Sequence, residues 1–106
     1  ILIKRGDVWL VRLDPTVGSE LRKTRPCIVV SPDGLSHLSV HLIVPLTSGS
    51  TPSRFRPDVH FGSRSGLLLP DQMRSVDRSR MIRRLGALGA SEMKALLATL
   101  REMFED

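Results

Sequence analysis

The sequence predicts a small, mainly β protein in which short strands form a strongly bent sheet or barrel and one helix follows at the C-terminus. Several short β-rich runs are separated by Gly, Pro, Ser and Asp turns, and only the last stretch changes to helical spacing. With 106 residues and 41% hydrophobic content, the chain can bury a single modest core. We therefore expect residues 1–106 to form one domain of strands with a helix laid on them.

The first three strands are predicted from apolar runs that end at turn residues. The first lies in GDVWLVRLDP and stops at its Asp-Pro pair, and the second is PCIVVSP. The third is LSVHLIVPLTS, which is expected to end at Pro45 or soon after. The polar stretch PTVGSELRKTR between the first two strands is predicted to be a loop.

The second half continues with shorter strands. GSTPSRFRP is a loop by composition, and DVHF, GLLLP and QMRSV are short β-rich runs between turn residues. RRLGALG is interpreted as a last edge strand.

The tail SEMKALLATLREMF differs in kind, because its apolar residues recur at helical spacing. Ser91 stands where it is expected to cap the start of this helix. The apolar stripe favours packing on the core or in a dimer, and it comprises Met93, Leu96, Leu97, Leu100, Met103 and Phe104.

The charge balance favours a polyanionic partner. Sixteen Lys and Arg, thirteen of them Arg, oppose eleven Asp and Glu, which gives a formal charge of +5. Guanidinium groups pair with phosphate through two hydrogen bonds. Arginine usage also follows the nucleotide composition of a genome, so charge alone leaves a protein without an anionic partner open.

Cysteine usage and hydropathy indicate a cytoplasmic protein with no membrane role. The lone Cys27 lies in an apolar strand, where a thiol behaves as a small hydrophobe, so neither a disulfide nor a cysteine-based metal site is expected. The longest apolar run is far below the roughly 20 residues that span a bilayer. The first residues lack a signal-peptide layout, and the chain opens with Ile, which leaves room for residues before it.

The stretch GSELRKTRPCIVVSP places several charges directly beside a buried strand. Pro26 fixes the backbone just after Arg25, so this arginine is expected to be held in place. Two interpretations stay open at this point. Arg25 either binds an anion or is a solvated side chain at the entry of a strand.

Four motifs follow one another between Lys4 and Met81, namely KRGDVWLVRLDPTVGSE, TRPCIVVSP, VPLTS and PDQMRSVDRSRM. In this order and spacing they resemble the motifs of the MazF/PemK toxins of toxin–antitoxin modules. The resemblance implies an SH3-like barrel of the MazF/CcdB/Kid type with a C-terminal helix, and a homodimer. It also implies an acidic antitoxin as partner and a metal-independent endoribonuclease without cofactors, which blocks translation and growth. Such an enzyme cuts single-stranded RNA sequence-specifically and leaves 2′,3′-cyclic phosphate and 5′-hydroxyl ends.

The resemblance also implies the catalytic residues. Arg25, of the TRP motif, would stabilise charge on the phosphate, while Thr47 and Ser48 would hydrogen-bond it. Arginine has a pKa above about 12 and is a poor proton acceptor at neutral pH. Glu20 is the first candidate base and Asp71 the second, although Glu20 would alternatively form an ion pair that orients Arg25.

Further residues are expected to bind substrate. Ser19 stands where some family members have His, and Gln72 follows Asp71; Arg54, Phe55 and Arg56 place an aromatic ring between two cations, as in single-strand contacts. Alternatively, these three residues form a basic loop that does not bind RNA and that Phe55 anchors to the core. Leu69 departs from a family branch that has arginine there, which weakens a catalytic role for Asp71.

The histidines are expected to be structural or surface groups, because His37, His41 and His60 lack metal-ligand spacing. Two other functions remain open besides the ribonuclease. One is a nucleic-acid-binding barrel without catalysis, and the other is a toxin of the same fold that targets a protein such as gyrase. The combined presence of Glu20, Arg25 and Thr47 favours the ribonuclease, since phosphate chemistry uses all three.

Overall fold

Three central strands with continuous apolar sequences organise the fold. The structure is a computed structural model, and it describes residues 2–48 and 51–106. Strand β1 spans Asp7–Arg12, β2 spans Thr24–Val29 and β3 spans Val40–Thr47. Strand β2 lies between the other two and pairs antiparallel with both. The sheet is therefore built outward from β2.

Four further strands extend this centre. Strands are hydrogen-bonded in the order β4-β5-β3-β2-β1-β7, and β6 pairs with another part of β3. The predicted strands and the terminal helix are confirmed, and β7 lies at the end of the sheet as expected. The remaining elements are β4 (Asp58–Phe61), β5 (Arg64–Leu68), β6 (Arg74–Asp77), β7 (Met81–Ala87), helix α1 (Ala90–Met103) and 3₁₀ turns at Asp33–Leu35, Pro70–Gln72 and Arg78–Arg80.

The central strands are buried on both faces, because alternate residues enter two different apolar clusters. Cys27 and Val29 belong to one cluster, whereas Ile28 packs into the other, with Leu96 of the helix. Successive side chains of a strand point to opposite faces, so a strand with no solvent face needs an unbroken apolar run. This explains the CIVV sequence, and it makes β2 a rigid support for residues at its ends.

Helix α1 covers the second cluster through Leu96, which is fully buried. The prediction that Ser91 caps the helix is wrong. The N-cap residue is Gly89, which has extended backbone angles and no side chain to form a cap, and Ser91 lies inside the first turn. Glu92 is the acidic residue of that turn, and its carboxylate accepts a hydrogen bond from the His60 amide at 3.0 Å.

The predicted loop between β3 and β4 is confirmed over residues 51–57, whereas its first two residues, Gly49 and Ser50, lie outside the described part of the chain. Ser53 and Arg56 exchange two backbone hydrogen bonds of 3.2 Å each. These bonds give the segment a tight turn of its own. Among the described residues, no helix has both the length and the apolar composition needed to cross a bilayer.

Candidate active site

A cleft of about 150 Å³ opens where β2 begins and β3 ends. Cys27 pairs with Pro45 across these antiparallel strands, so Arg25 and Thr47 each lie two residues further toward the same end. The sequence-predicted pair is thereby brought into one surface feature. This sheet-end cleft is lined by Arg25, Pro26, Leu46, Thr47, Ser48, Arg64, Ser65 and Gly66.

Arg25 is half-buried and enters the cleft from a fixed backbone. Its Nε donates to the Arg22 carbonyl at 3.3 Å, and Pro26 restricts the chain directly after it. The two terminal nitrogens of the guanidinium make no hydrogen bond to other described residues. Because these donors are free and the backbone is fixed, Arg25 can accept a two-oxygen anion without moving its strand.

Cys27 lies two residues after Arg25 in β2 and acts as a buried packing residue. Its thiol is fully buried and donates to the Arg25 carbonyl at 3.5 Å. Burial raises the pKa of this thiol to about 12, although Arg74 and Arg25 oppose the rise. Cys27 is therefore an uncharged packing residue rather than a nucleophile.

Thr47 lies at the end of β3, where β5 pairs with it and forms one wall of the cleft. Thr47 pairs with Leu67, and a Cβ at the neighbouring Gly66 would stand 3.0 Å from the Thr47 carbonyl oxygen. Only glycine fits at this position without a shift of the chain. The Thr47 hydroxyl makes no hydrogen bond to other described residues, so it can donate to a ligand.

Strand β5 also adds a residue that sequence reasoning missed. Arg64 lines the sheet-end cleft together with Ser65, which gives the cleft a second guanidinium. The short sequence RSGLL carries no local signal for this role. Only the pairing of β5 with β3 brings Arg64 near Thr47.

Both candidate bases line a second cleft, of about 170 Å³. Pro45 of β3 lines this cleft, whereas Leu46 and Thr47 line the sheet-end cleft. Glu20 and Asp71 therefore line one cleft, and neither lines the cleft that contains Arg25. This carboxylate cleft is lined by Leu13, Glu20, Leu21, Pro45, Asp71, Gln72, Met73 and Arg74.

Glu20 is bound within its own loop. Its Oε1 accepts a hydrogen bond from the Val17 amide at 2.6 Å, and Oε2 makes none with the described residues. Within the described ranges there is no ion pair between Glu20 and Arg25. The alternative in which Glu20 orients Arg25 is therefore absent from this conformation.

Gln72 ties the loop between β1 and β2 to the Pro70–Gln72 turn. Its Oε1 accepts from the Leu21 amide at 2.8 Å, and Leu21 packs against the first apolar cluster. Ser19 lies at the exposed tip of this loop and lines neither cleft. The base of the loop is thus fixed, while the segment that carries Ser19 and Glu20 projects into solvent.

The three residues Arg54, Phe55 and Arg56 belong to a segment that we call the arginine loop, residues 51–57. Arg56 forms a two-bond ion pair with Asp71, and Arg54 forms one with Glu102 of α1. The Arg54 guanidinium also lies 4.8 Å from the Phe55 ring centre. The hydrogen bond from Arg56 lowers the pKa of the Asp71 carboxyl.

None of the three histidines lines either cleft. His41 is 1% exposed, and neither ring nitrogen has a hydrogen-bond partner among the described residues. His60 Nδ1 lies 3.1 Å from the Ser65 hydroxyl. Residues 2–48 and 51–106 contain no group of three or more His, Cys, Asp or Glu side chains that would hold a metal ion.

The fold matches that of solved MazF-type structures. MazF from Deinococcus radiodurans superposes with a TM-score of 0.85 at 24% identity, covering 97% of this chain and 96% of that one. A mycobacterial endoribonuclease solved in complex with its cognate antitoxin gives a TM-score of 0.79 at 17% identity, covering 94% and 92%. The predicted fold, a curled antiparallel sheet with a C-terminal helix, is confirmed.

Sequence comparison gives the family. The model for the PemK-like, MazF-like toxin of type II toxin–antitoxin systems matches residues 4–104. Endoribonuclease PemK of Escherichia coli is 34% identical over 105 residues, covering 92% of this chain and 79% of PemK. Endoribonuclease MazF9 of Mycobacterium tuberculosis is 30% identical over 111 residues, covering 94% of each. The chain belongs to this toxin family.

Proposed function

We propose that this chain is the toxin of a type II toxin–antitoxin module and cuts single-stranded RNA without a metal ion, as one domain over residues 1–106. The observation that carries the proposal is the pair of unoccupied donors in one cleft, the Arg25 guanidinium and the Thr47 hydroxyl. Family membership and relatives named as endoribonucleases support it.

The reaction is an internal transfer at phosphorus. The ribose 2′-oxygen attacks the adjacent phosphorus, the bond to the 5′-oxygen breaks, and the products carry a 2′,3′-cyclic phosphate and a 5′-hydroxyl. Negative charge builds on the non-bridging oxygens, where Arg25 donates two hydrogen bonds and Thr47 one, with Ser48 beside them. A base takes the 2′-hydroxyl proton, and the leaving 5′-oxygen receives a proton from Arg25 or water.

Glu20 is the better of the two candidate bases. Both carboxylate oxygens of Asp71 are bonded to Arg56, which lowers the pKa of Asp71 and makes it a weaker proton acceptor. Glu20 keeps one oxygen without a partner among the described residues. Since Glu20 lines the neighbouring cleft, its loop must move toward Arg25 when RNA binds.

The test is incubation of the purified protein with mixed-sequence RNA in EDTA, with the Arg25→Ala variant prepared in parallel as a control for contaminating nuclease. We expect discrete fragments that end in 2′,3′-cyclic phosphate from the unaltered protein only. RNA that is bound but stays intact would instead identify a nucleic-acid-binding barrel without catalysis. Neither binding nor cleavage, together with inhibition of gyrase, would support the protein-targeting alternative.

The proposal includes two protein partners. An open groove of about 650 Å³ separates α1 from β3 and contains apolar side chains, among them Leu42 and Phe104, which are 38% and 73% exposed. We expect a second copy of the chain to cover this groove, so that the two copies form a homodimer. RNA would bind along the interface between them. Sedimentation that shows a fully active monomer at micromolar concentration would contradict the dimer.

The second partner is an acidic antitoxin in the same cytoplasm. The formal charge of +5 favours an acidic segment, and solved relatives include MazF of Deinococcus radiodurans bound to MazE. Inhibition by such a segment should weaken as the salt concentration rises, because part of the contact is electrostatic. Inhibition independent of salt would indicate a mainly apolar contact.

A further inference from the structure

Both arginines of the arginine loop are bound by carboxylates from other parts of the fold. Arg56 Nε donates to Asp71 Oδ1 at 2.9 Å, and its Nη2 donates to Oδ2 at 2.5 Å. Arg54 Nε donates to Glu102 Oε1 at 2.7 Å, and its Nη2 donates to the same oxygen. The most basic tripeptide of this loop therefore carries its own counter-ions in the free protein.

Each ion pair is exposed enough to exchange. The Arg54 and Glu102 side chains are 71% and 42% exposed, and those of Arg56 and Asp71 are 38% and 41% exposed. Exposed pairs contribute little to stability because water and salt compete with them. A phosphate offers the guanidinium the same two-oxygen acceptor with a full negative charge, so it can replace either carboxylate.

The backbone of the loop does not depend on these pairs. Ser53 and Arg56 exchange two backbone hydrogen bonds, and the Pro57 carbonyl accepts from the Leu68 amide at 3.0 Å. Phe55 is half-buried between the two arginines. Since the turn is held by its main chain, the guanidinium groups can change partners without refolding of the loop.

We propose that Asp71 and Glu102 are internal competitors for RNA phosphate, so that RNA binding replaces the two ion pairs with two arginine–phosphate contacts. This inference rests on the proposed function only in taking single-stranded RNA as the ligand. The exchange restrains binding in the free toxin, because each phosphate must displace a carboxylate. It also releases Asp71 beside Glu20 in the carboxylate cleft.

The test measures the affinity for a single-stranded RNA with 2′-O-methyl riboses, which binds but cannot be cut, at several salt concentrations. Asp71→Asn and Glu102→Gln keep the side-chain shapes and remove the competing charges. We expect each to tighten binding about two- to fivefold. The slope of log affinity against log salt should change by well under about 0.7, the value for one phosphate contact on a single strand, because the same phosphates are bound with and without the competing carboxylate.

Two control variants distinguish competition by these carboxylates from a general effect of net charge and from a change in structure. Asp58→Asn makes the same change in net charge at the start of β4, and Asp58 is exposed and forms no side-chain hydrogen bond or ion pair with the described residues. It should change affinity less than either test variant. The gain from Asp71→Asn should vanish when Arg56 is also replaced by Ala, because the gain acts through that guanidinium.

Several outcomes would overturn the inference. If both test variants weaken RNA binding, or match Asp58→Asn in affinity, the carboxylates are supports and do not compete with phosphate. If the test variants bind an acidic peptide more tightly but bind RNA no more tightly, the arginine loop binds a protein partner instead of RNA. Cleavage by the unaltered protein together with unchanged binding would reject this inference alone, whereas a binding gain without any cleavage would reject the enzymatic proposal alone.

Discussion

The sheet-end cleft and the arginine loop both present guanidinium groups, but they hold them by different means. Arg25 is positioned by its backbone, because it lies in β2 directly before Pro26 and the strand continues into the buried core. Arg54 and Arg56 are positioned by exposed carboxylates at the ends of their side chains. The sheet-end cleft therefore presents free donors on a rigid backbone. The donors of the arginine loop are instead paired with carboxylates that a phosphate can displace.

This difference corresponds to two tasks. Stabilising charge that develops during a reaction requires donors that are already in place, because movement at that moment costs free energy. Binding a flexible single strand requires only that cationic side chains reach its phosphates, and the carboxylates paired with those side chains can be displaced. We therefore expect changes in the cleft to alter the rate of cleavage, and changes in the loop to alter affinity.

The largest expected effect is that of Arg25→Lys. Lysine keeps the charge but lacks the planar pair of donors, so cleavage should fall about 10²-fold or more, as when one oxyanion donor is removed. Single-turnover cleavage of RNA measures this rate, with binding of 2′-O-methyl RNA and thermal unfolding changing little. Undiminished cleavage by Arg25→Lys and Arg25→Ala alike would reject the active-site assignment.

Thr47→Val should give a smaller loss of the same kind. The change removes one hydroxyl donor to the phosphate while keeping the side-chain shape, so we expect about a tenfold slower single-turnover rate. Thr99→Val makes the same change on α1, where the hydroxyl only donates to the Ala95 carbonyl, and it should leave the rate unaltered. Equal rates for both variants would show that Thr47 does not contact the reacting phosphate.

Two packing variants compare the tightness of packing in strand β2 with that in the first loop. Ile28 is fully buried in β2, and Ile28→Val should lower the free energy of unfolding by about 1 kcal/mol. Val17 in the first loop is 81% exposed, and Val17→Ala should change it by less than about 0.5 kcal/mol. Urea unfolding of both variants provides the measurement. Comparable losses would show that the loop is as tightly packed as the strand.

The smallest expected effect is a pH dependence from the buried His41. Burial lowers the pKa of His41 and the Arg78 charge adds to this, although Asp77 opposes it. The unfolded chain thus binds a proton more readily, and stability should fall as the pH drops below about 6.5 toward the lower pKa of the folded state. His41→Leu should flatten thermal-unfolding midpoints between pH 7 and 5. An unchanged pH profile in that variant would exclude His41 as the source.

The sequence predicted the strands and the helix because apolar periodicity and turn residues act locally. Family motifs also placed Arg25 and Thr47 together, and strand pairing explains why two distant segments meet. The pairing of Arg56 with Asp71 and of Arg54 with Glu102 could not be predicted, because it joins residues 15 and 48 positions apart through side chains alone. The absence of an ion pair between Glu20 and Arg25 in the described part of the chain likewise could not be predicted from the sequence.

The central claim is that the reacting phosphate binds in the sheet-end cleft. Once the cleaved sequence has been mapped, a crystal structure with that RNA carrying a 2′-O-methyl group at the cleavage site tests the claim directly. We expect non-bridging oxygens of the scissile phosphate within hydrogen-bonding distance of the Arg25 guanidinium and the Thr47 hydroxyl. A scissile phosphate bound in the carboxylate cleft or at the arginine loop, with Arg25 and Thr47 left without contacts, would contradict the account.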